Sequence, residues 1–196
     1  MPTESSASEP SLAGREVLLC VCGGIAAYKT ASLASQLVQR GCGVTVAMTR
    51  AARRFVGPAT FEALTGRGVH TSLWRGHAGS VQHLSLGETA ELIVVAPATA
   101  NIIGKLVGGI ADDLISTLLL GAAAPVLLAP AMNVNMWRHP AVQRNVNWLR
   151  DNGFEFVGPD DGWQACRAVG PGRMSEPETI RERIAQMLAQ RPRKAD

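Results

Sequence analysis

The chain has 196 residues, with 19 Lys and Arg against 16 Asp and Glu, a formal net charge of +3, and 46% hydrophobic against 18% charged residues. That length supports one domain burying roughly two-thirds of its unfolded surface without disulfides or metals. The charge balance excludes both a disordered chain and a basic stripe for nucleic acid.

Residues 1–14, "MPTESSASEPSLAG", are polar and rich in Ser and Pro, without the basic start and apolar core of a signal peptide. They are expected to form a disordered tail on a cytoplasmic protein, with 191–196 as a second tail and 15–190 as the folded domain. Apolar runs at 16–22, 43–48, 91–97, 124–130 and 154–159 alternate with helical segments. Near-continuous apolar strands of this kind predict an α/β fold, a single doubly wound, Rossmann-like or flavodoxin-like parallel sheet with helices on both faces. "LISTLLLGAAAPVLLAPAM" is broken by Gly and Pro, so it reads as a buried helix and strand and not as a membrane span.

Between the first two runs, "IAAYKTASLASQLVQRG" places Ile25, Leu33, Leu37 and Val38 near one helical face and ends at Gly41. The last helix opens at Pro177 and repeats Ile180, Ile184, Met187 and Leu188. Cys20 and Cys22 lie two apart on one face of a buried strand and, with Cys42, read as core. No CxxC pair or Cys/His cluster has zinc spacing, so no metal is expected.

Ligands of such folds sit in the loops beyond the carboxyl ends of the strands. "CGGIAAYK" (22–29) exposes backbone N–H groups at a helix start, where an anion gains about 0.3–1 kcal/mol from the dipole. The loop lacks both GK[ST] and GxGxxG, and Thr49 and Arg50 follow the second strand where a dinucleotide fold carries an acid. A mononucleotide or another anion is therefore favoured over NAD. Lys29 reads as a solvated helix residue. "PATAN" (97–101) and "PAMNVNMW" (130–137) offer small residues for the approach of a flat ring and one amide each, although Asn101 and Asn133 could equally cap helices. His83 heads a short alternating segment and is a candidate proton shuttle, or a structural histidine; His70, His77 and His139 have less in their favour. Cys166 stands in "GWQACRAVGPGRMSEP", a Gly/Pro-rich stretch that could open and close as a lid, with Arg167 and Arg173 near enough to acidify the thiol.

Taken together, "GGIAAYK", "AMTRAA", "QHLSL", "APATAN", "GGIADDLIST", "APAMNVNMW" and "QACRAVGPGRMSEP" strongly resemble the bacterial phosphopantothenoylcysteine decarboxylases of the homo-oligomeric flavin-containing cysteine decarboxylase family, over residues 15–190. The resemblance implies FMN held by Gly23, Gly24, Ile25, Thr49, Thr99, Ala100 and Asn101, with Met132 near the ring. It implies catalytic roles for His83 and Cys166, and substrate contacts from Asn133, Ala165 and Met174. It further implies decarboxylation of phosphopantothenoylcysteine in coenzyme A biosynthesis, assembly as homotrimers or dodecamers of trimers, and a phosphopantothenate–cysteine ligase as functional partner, with neither nucleic acid nor membrane involved. The same fold hosts peptidyl-cysteine decarboxylases, flavin prenyltransferases and non-catalytic regulatory flavoproteins as alternatives. Family flaps usually read ACG, where this chain has Arg167 after the cysteine.

Overall fold

Alternation along the first strand sets the architecture. In β1 (Glu16–Val21) the side chains of Val17, Leu19 and Val21 enter one core cluster, while Leu18 and Cys20 enter another on the opposite face. A strand buried on both faces has to lie inside a sheet covered by helices on each side. The computed structural model describes residues 10–74 and 82–193, without the side chains of 82–85.

From β1 the chain runs through α1 (Ala27–Gln39), β2 (Gly43–Met48), a single 3-10 turn at Ala52–Arg54, α2 (Pro58–Thr65), β3 (Val69–His70) and α3 (Gln82–Thr89). β4 (Leu92–Ala98), α4 (Ala100–Gly108), α5 (Leu114–Gly121), β5 (Val126–Pro130), α6 (Val134–Arg138), α7 (Pro140–Asp151) and β6 (Glu155–Phe156) follow. β7 (Asp160–Trp163), β8 (Val169–Arg173) and α8 (Pro177–Ala189) complete it. The main sheet has the order β3-β2-β1-β4-β5-β6, with every pairing parallel. This is the Rossmann order, whose direction of winding reverses between β1 and β4. α1, α2 and α8 supply Leu33, Leu37, Phe61, Ile180 and Ile184 to one core. α4, α5 and α7 supply Ile102, Ile103, Leu118 and Leu149 to the other.

Local signals set the boundaries. After α1, the Gly41 N–H donates to Val38 O at 2.9 Å and the Cys42 N–H to Leu37 O at 3.1 Å, a Schellman closure that Gly41 permits at φ +75. Pro58, Pro140 and Pro177 open their helices, where the missing N–H costs nothing. Asp113 caps α5 through a reciprocal box with Ser116.

Several expectations need correction. Ile25 precedes α1 and is 60% exposed, so it does not belong to that helix's apolar face. The run at 154–159 pairs only at Glu155–Phe156. The short alternating segment headed by His83 is helical, as α3. The Gly/Pro-rich stretch around Cys166, expected as a lid without regular structure, holds a second sheet: β7 and β8 pair antiparallel as a hairpin carrying Cys166 at its tip. Within 10–14, Leu12 is buried and the Gly14 N–H donates to Gly41 O at 2.9 Å, which ties the chain down before Arg15. No described helix is long and apolar enough to cross a membrane.

Candidate active site

A cavity of about 790 Å³ opens beyond the carboxyl ends of β1 and β4, at the point where the winding reverses. The β1–α1 loop brings Gly23, Gly24 and Ile25 to it, the β2 end brings Thr49, and the β4–α4 junction brings Thr99, Ala100 and Asn101. From the β5–α6 loop come Met132 and Asn133, and from the hairpin come Ala165, Cys166 and Met174. All twelve of these expected residues therefore line one space. The thirteenth, His83, lies on α3, and its side chain is outside the described residues.

Local packing explains the residue types. A Cβ on Gly23 would come within 2.4 Å of Ala51 Cβ, so only glycine lets the first loop lie against the β2 end. α1 starts without a side-chain cap and without an acid in its first turn, which leaves the positive end of the helix facing the cavity. Thr49 Oγ1 accepts from the Ala52 N–H at 3.1 Å, and Thr99 caps α4 by accepting from the Ile102 N–H at 3.4 Å. Each hydroxyl retains its proton for a ligand. Asn101 lies inside α4 and is not its cap. An uncapped helix start, two hydroxyls and a glycine turn suit a monophosphate, and the small residues Ala100 and Ala131 suit a flat ring.

Asn133 does cap α6, accepting from the Asn135 N–H at 2.8 Å through Oδ1. That bond fixes the amide, and its Nδ2 donates to Cys166 Sγ at 3.0 Å. The Ala168 backbone N–H, with help from Asn133, lowers the Cys166 pKa below the ordinary thiol value. Cys22 and Cys42 are pushed up to about 12, chiefly by burial, and burial raises Cys20 as well. Reactivity is thereby concentrated at Cys166.

Residues that the sequence reading missed complete the wall. Lys29 is not solvated: it is 8% exposed, lines the cavity, and donates from Nζ to Met174 O at 3.1 Å. Elsewhere in the wall, Lys105 reaches Asp112 at 2.5 Å and Asp113 at 2.6 Å. Burial alone would pull Lys105 down, but these bonds outweigh it and raise its pKa. Tyr28 and Trp163 stand around the mouth beside the expected Ile25, each of the three at least 60% exposed. Among the described residues, no group of three or more His, Cys, Asp or Glu could hold a metal.

The family model described as Flavoprotein matches residues 5–189. The chain belongs to that family. It is 54% identical, over 86% of its length, to the coenzyme A biosynthesis bifunctional protein CoaBC of Bacillus subtilis, of which it covers 42%. It thus spans less than half the length of the curated relatives it matches. Among solved structures, the FMN-dependent cysteine decarboxylase SpaF superposes with a TM-score of 0.79 at 34% identity, covering 91% of this chain and 99% of the other. A PPC decarboxylase variant complexed with pantothenoylaminoethenethiol also superposes at 0.79, with 26% identity over 90% of this chain and 99% of that one. These flavoprotein structures share the doubly wound architecture found here.

Proposed function

We propose that this flavoprotein binds FMN and decarboxylates 4′-phosphopantothenoylcysteine to 4′-phosphopantetheine, a step of coenzyme A biosynthesis. The observation that carries the reading is the contact between Asn133 Nδ2 and Cys166 Sγ, which joins an oriented amide to an acidified thiol across the mouth of one cavity. The likeness to CoaBC and to a PPC decarboxylase supports it.

Gly23, Gly24 and Ile25 would hold the FMN phosphate at the start of α1, with Thr49, Thr99, Ala100 and Asn101 along the cofactor and Met132 near its ring. When bound, FMN supplies a two-electron sink that oxidises the substrate's C–S unit and returns the electrons after CO2 has left. The chain's own groups do the rest. Asn133, with Oδ1 committed to Asn135, presents N–H to the substrate carboxylate and orients it. Ala165 and Met174 shape the wall around the substrate. Cys166 on the hairpin gives its proton to the product carbon after decarboxylation, which a thiol with a lowered pKa does readily. His83 acts at the reacting centre.

The reading extends to assembly as trimers or dodecamers of trimers. It is supported by the exposed apolar Ile25, Tyr28 and Trp163 at the cavity mouth, which a second copy would cover. It also extends to a cytoplasmic setting, a domain spanning 15–190 and a partnership with a phosphopantothenate–cysteine ligase.

Incubation of purified, FMN-loaded protein with phosphopantothenoylcysteine, and separately with a cysteine-ended peptide, tests the substrate. CO2 and phosphopantetheine are expected from the first alone. Turnover of the peptide alone would transfer the assignment to a peptidyl-cysteine decarboxylase, and inertness to both would favour a prenyltransferase or a regulatory flavoprotein.

A further inference from the structure

Gln164 is a polar side chain only 8% exposed, two residues before Cys166. Every polar atom of its amide is engaged. Oε1 accepts from the Val134 backbone N–H at 3.0 Å, while Nε2 donates to Pro171 O at 3.1 Å and to Gly170 O at 3.4 Å. One amide therefore ties the outgoing end of the hairpin to its returning strand and to the first residue of α6, next to Asn133.

The backbone around it closes the tip. The Gln164 N–H donates to Ala168 O at 2.9 Å, and the Arg167 N–H to Gln164 O at 2.8 Å. Within this turn Arg167 takes φ +67, a left-handed conformation that a side chain other than glycine adopts only when its surroundings impose it. The hairpin lies flush on its support: a Cβ on Gly172 would fall 2.3 Å from Met132 O and 2.9 Å from Gln164 Nε2. The Met132 N–H donates to Gly172 O at 2.9 Å along the same seam.

We propose that Gln164 is a positioning residue, a neutral latch that closes the β7–β8 hairpin onto the Asn133 loop, holds the left-handed turn at Arg167, and so sets Cys166 Sγ at Asn133. The latch must both accept from an N–H and donate to carbonyls. A carboxylate can only accept, and a hydrocarbon does neither. The catalytic consequence rests on the role of Cys166 proposed above, whereas the geometric claim does not.

Three variants of the FMN-bound protein test this: Gln164→Leu, Gln164→Glu and Val134→Pro. The last keeps Gln164 and deletes the N–H it accepts from, while a proline ring takes the place of the buried Val134 side chain against Gly170. Proline suits the first helical position, and Asn133 before it already has an extended ψ of 148. Iodoacetamide alkylation reads Cys166, since Cys20, Cys22 and Cys42 are buried. In Gln164→Leu and Val134→Pro the pH profile of alkylation should move up towards that of a free cysteine, with kcat lowered about 10–100-fold and a smaller change in KM. In Gln164→Glu the carboxylate replaces an amide oxygen 3.5 Å from Sγ, and alkylation near neutrality should slow about tenfold.

Wild-type alkylation and turnover in all three variants would overturn the latch. So would loss of fold in both Gln164 variants while Val134→Pro behaves as wild type, because the bond at Val134 would then be dispensable. A wild-type protein inert towards phosphopantothenoylcysteine would overturn the proposed function, and the alkylation profiles would still judge the latch.

Discussion

Lys29 Nζ and Glu176 Oε1 meet 3.0 Å apart, joining the helix that follows the glycine turn to the residue just before α8. The Lys29 hydrogen bond, reinforced by Arg173, holds the Glu176 carboxyl below the usual glutamate range. A depressed carboxyl contributes stability above its unfolded pKa and loses it as pH falls from about 4.3 through the lower folded value. Urea unfolding of the wild type should therefore weaken over that window, and Glu176→Gln should flatten the dependence. Lys29→Met should cost about 1–2 kcal/mol at neutral pH, because the half-exposed Glu176 is rehydrated by solvent. A pH profile identical in wild type and Glu176→Gln would remove the pair from the stability of this region.

Asn133→Asp keeps the α6 cap but places a carboxylate against Cys166 Sγ and against the substrate's own carboxylate. KM for phosphopantothenoylcysteine should rise at least tenfold, and alkylation of Cys166 should require higher pH. Flavin absorbance should remain, since the change lies on the substrate side. Unchanged KM would dissociate Asn133 from carboxylate recognition.

Cys166→Ser replaces the acidified thiol with a far weaker acid. CO2 should appear in about one equivalent per flavin and turnover should then stop, leaving a product two hydrogens lighter than phosphopantetheine in a single-turnover mass spectrum. Sustained formation of phosphopantetheine near the wild-type rate would sink the proton-donor role.

Gly23→Ala forces a methyl into Ala51, where 2.4 Å remains. The loop has to move, and overpacking of this kind costs about 1–3 kcal/mol. The purified variant should be pale where the wild type is yellow, and added FMN should raise its thermal midpoint less than that of the wild type. Stoichiometric flavin in Gly23→Ala would place the phosphate elsewhere.

Legibility in the sequence followed the range over which each constraint acts. β1, β2, β4 and β5 were readable because burial on both faces leaves contiguous apolar runs, and Gly41 and Pro177 mark helix ends through local backbone chemistry. The four rim loops were readable from the rule that strand ends carry ligands. Burial of Lys29 was not, because its partners at Met174 and Glu176 lie far along the chain and a helical lysine carries no sign of them. Nor was the hairpin: "DDGW" and "VGPGR" contain few strand-forming residues, and their pairing depends on a seam made by Gly172 and Gln164 against the Met132 loop. α3 was not legible as a helix, since its eight residues alternate as a segment and are too few to separate the two periods.

The order of the sheet also dictates when a flavin can be captured. β1 ends at Val21, and its neighbour β4 begins only at Leu92, so the crevice between their loops has no counterpart in any shorter N-terminal piece of the chain. On the ribosome, the glycine turn would emerge long before the strand that completes its pocket. If the glycine turn holds the phosphate as proposed, cofactor uptake would be timed by a long-range closure and not by the appearance of that turn, and flavin quenching during synthesis would act as a clock for the docking of β4 against β1.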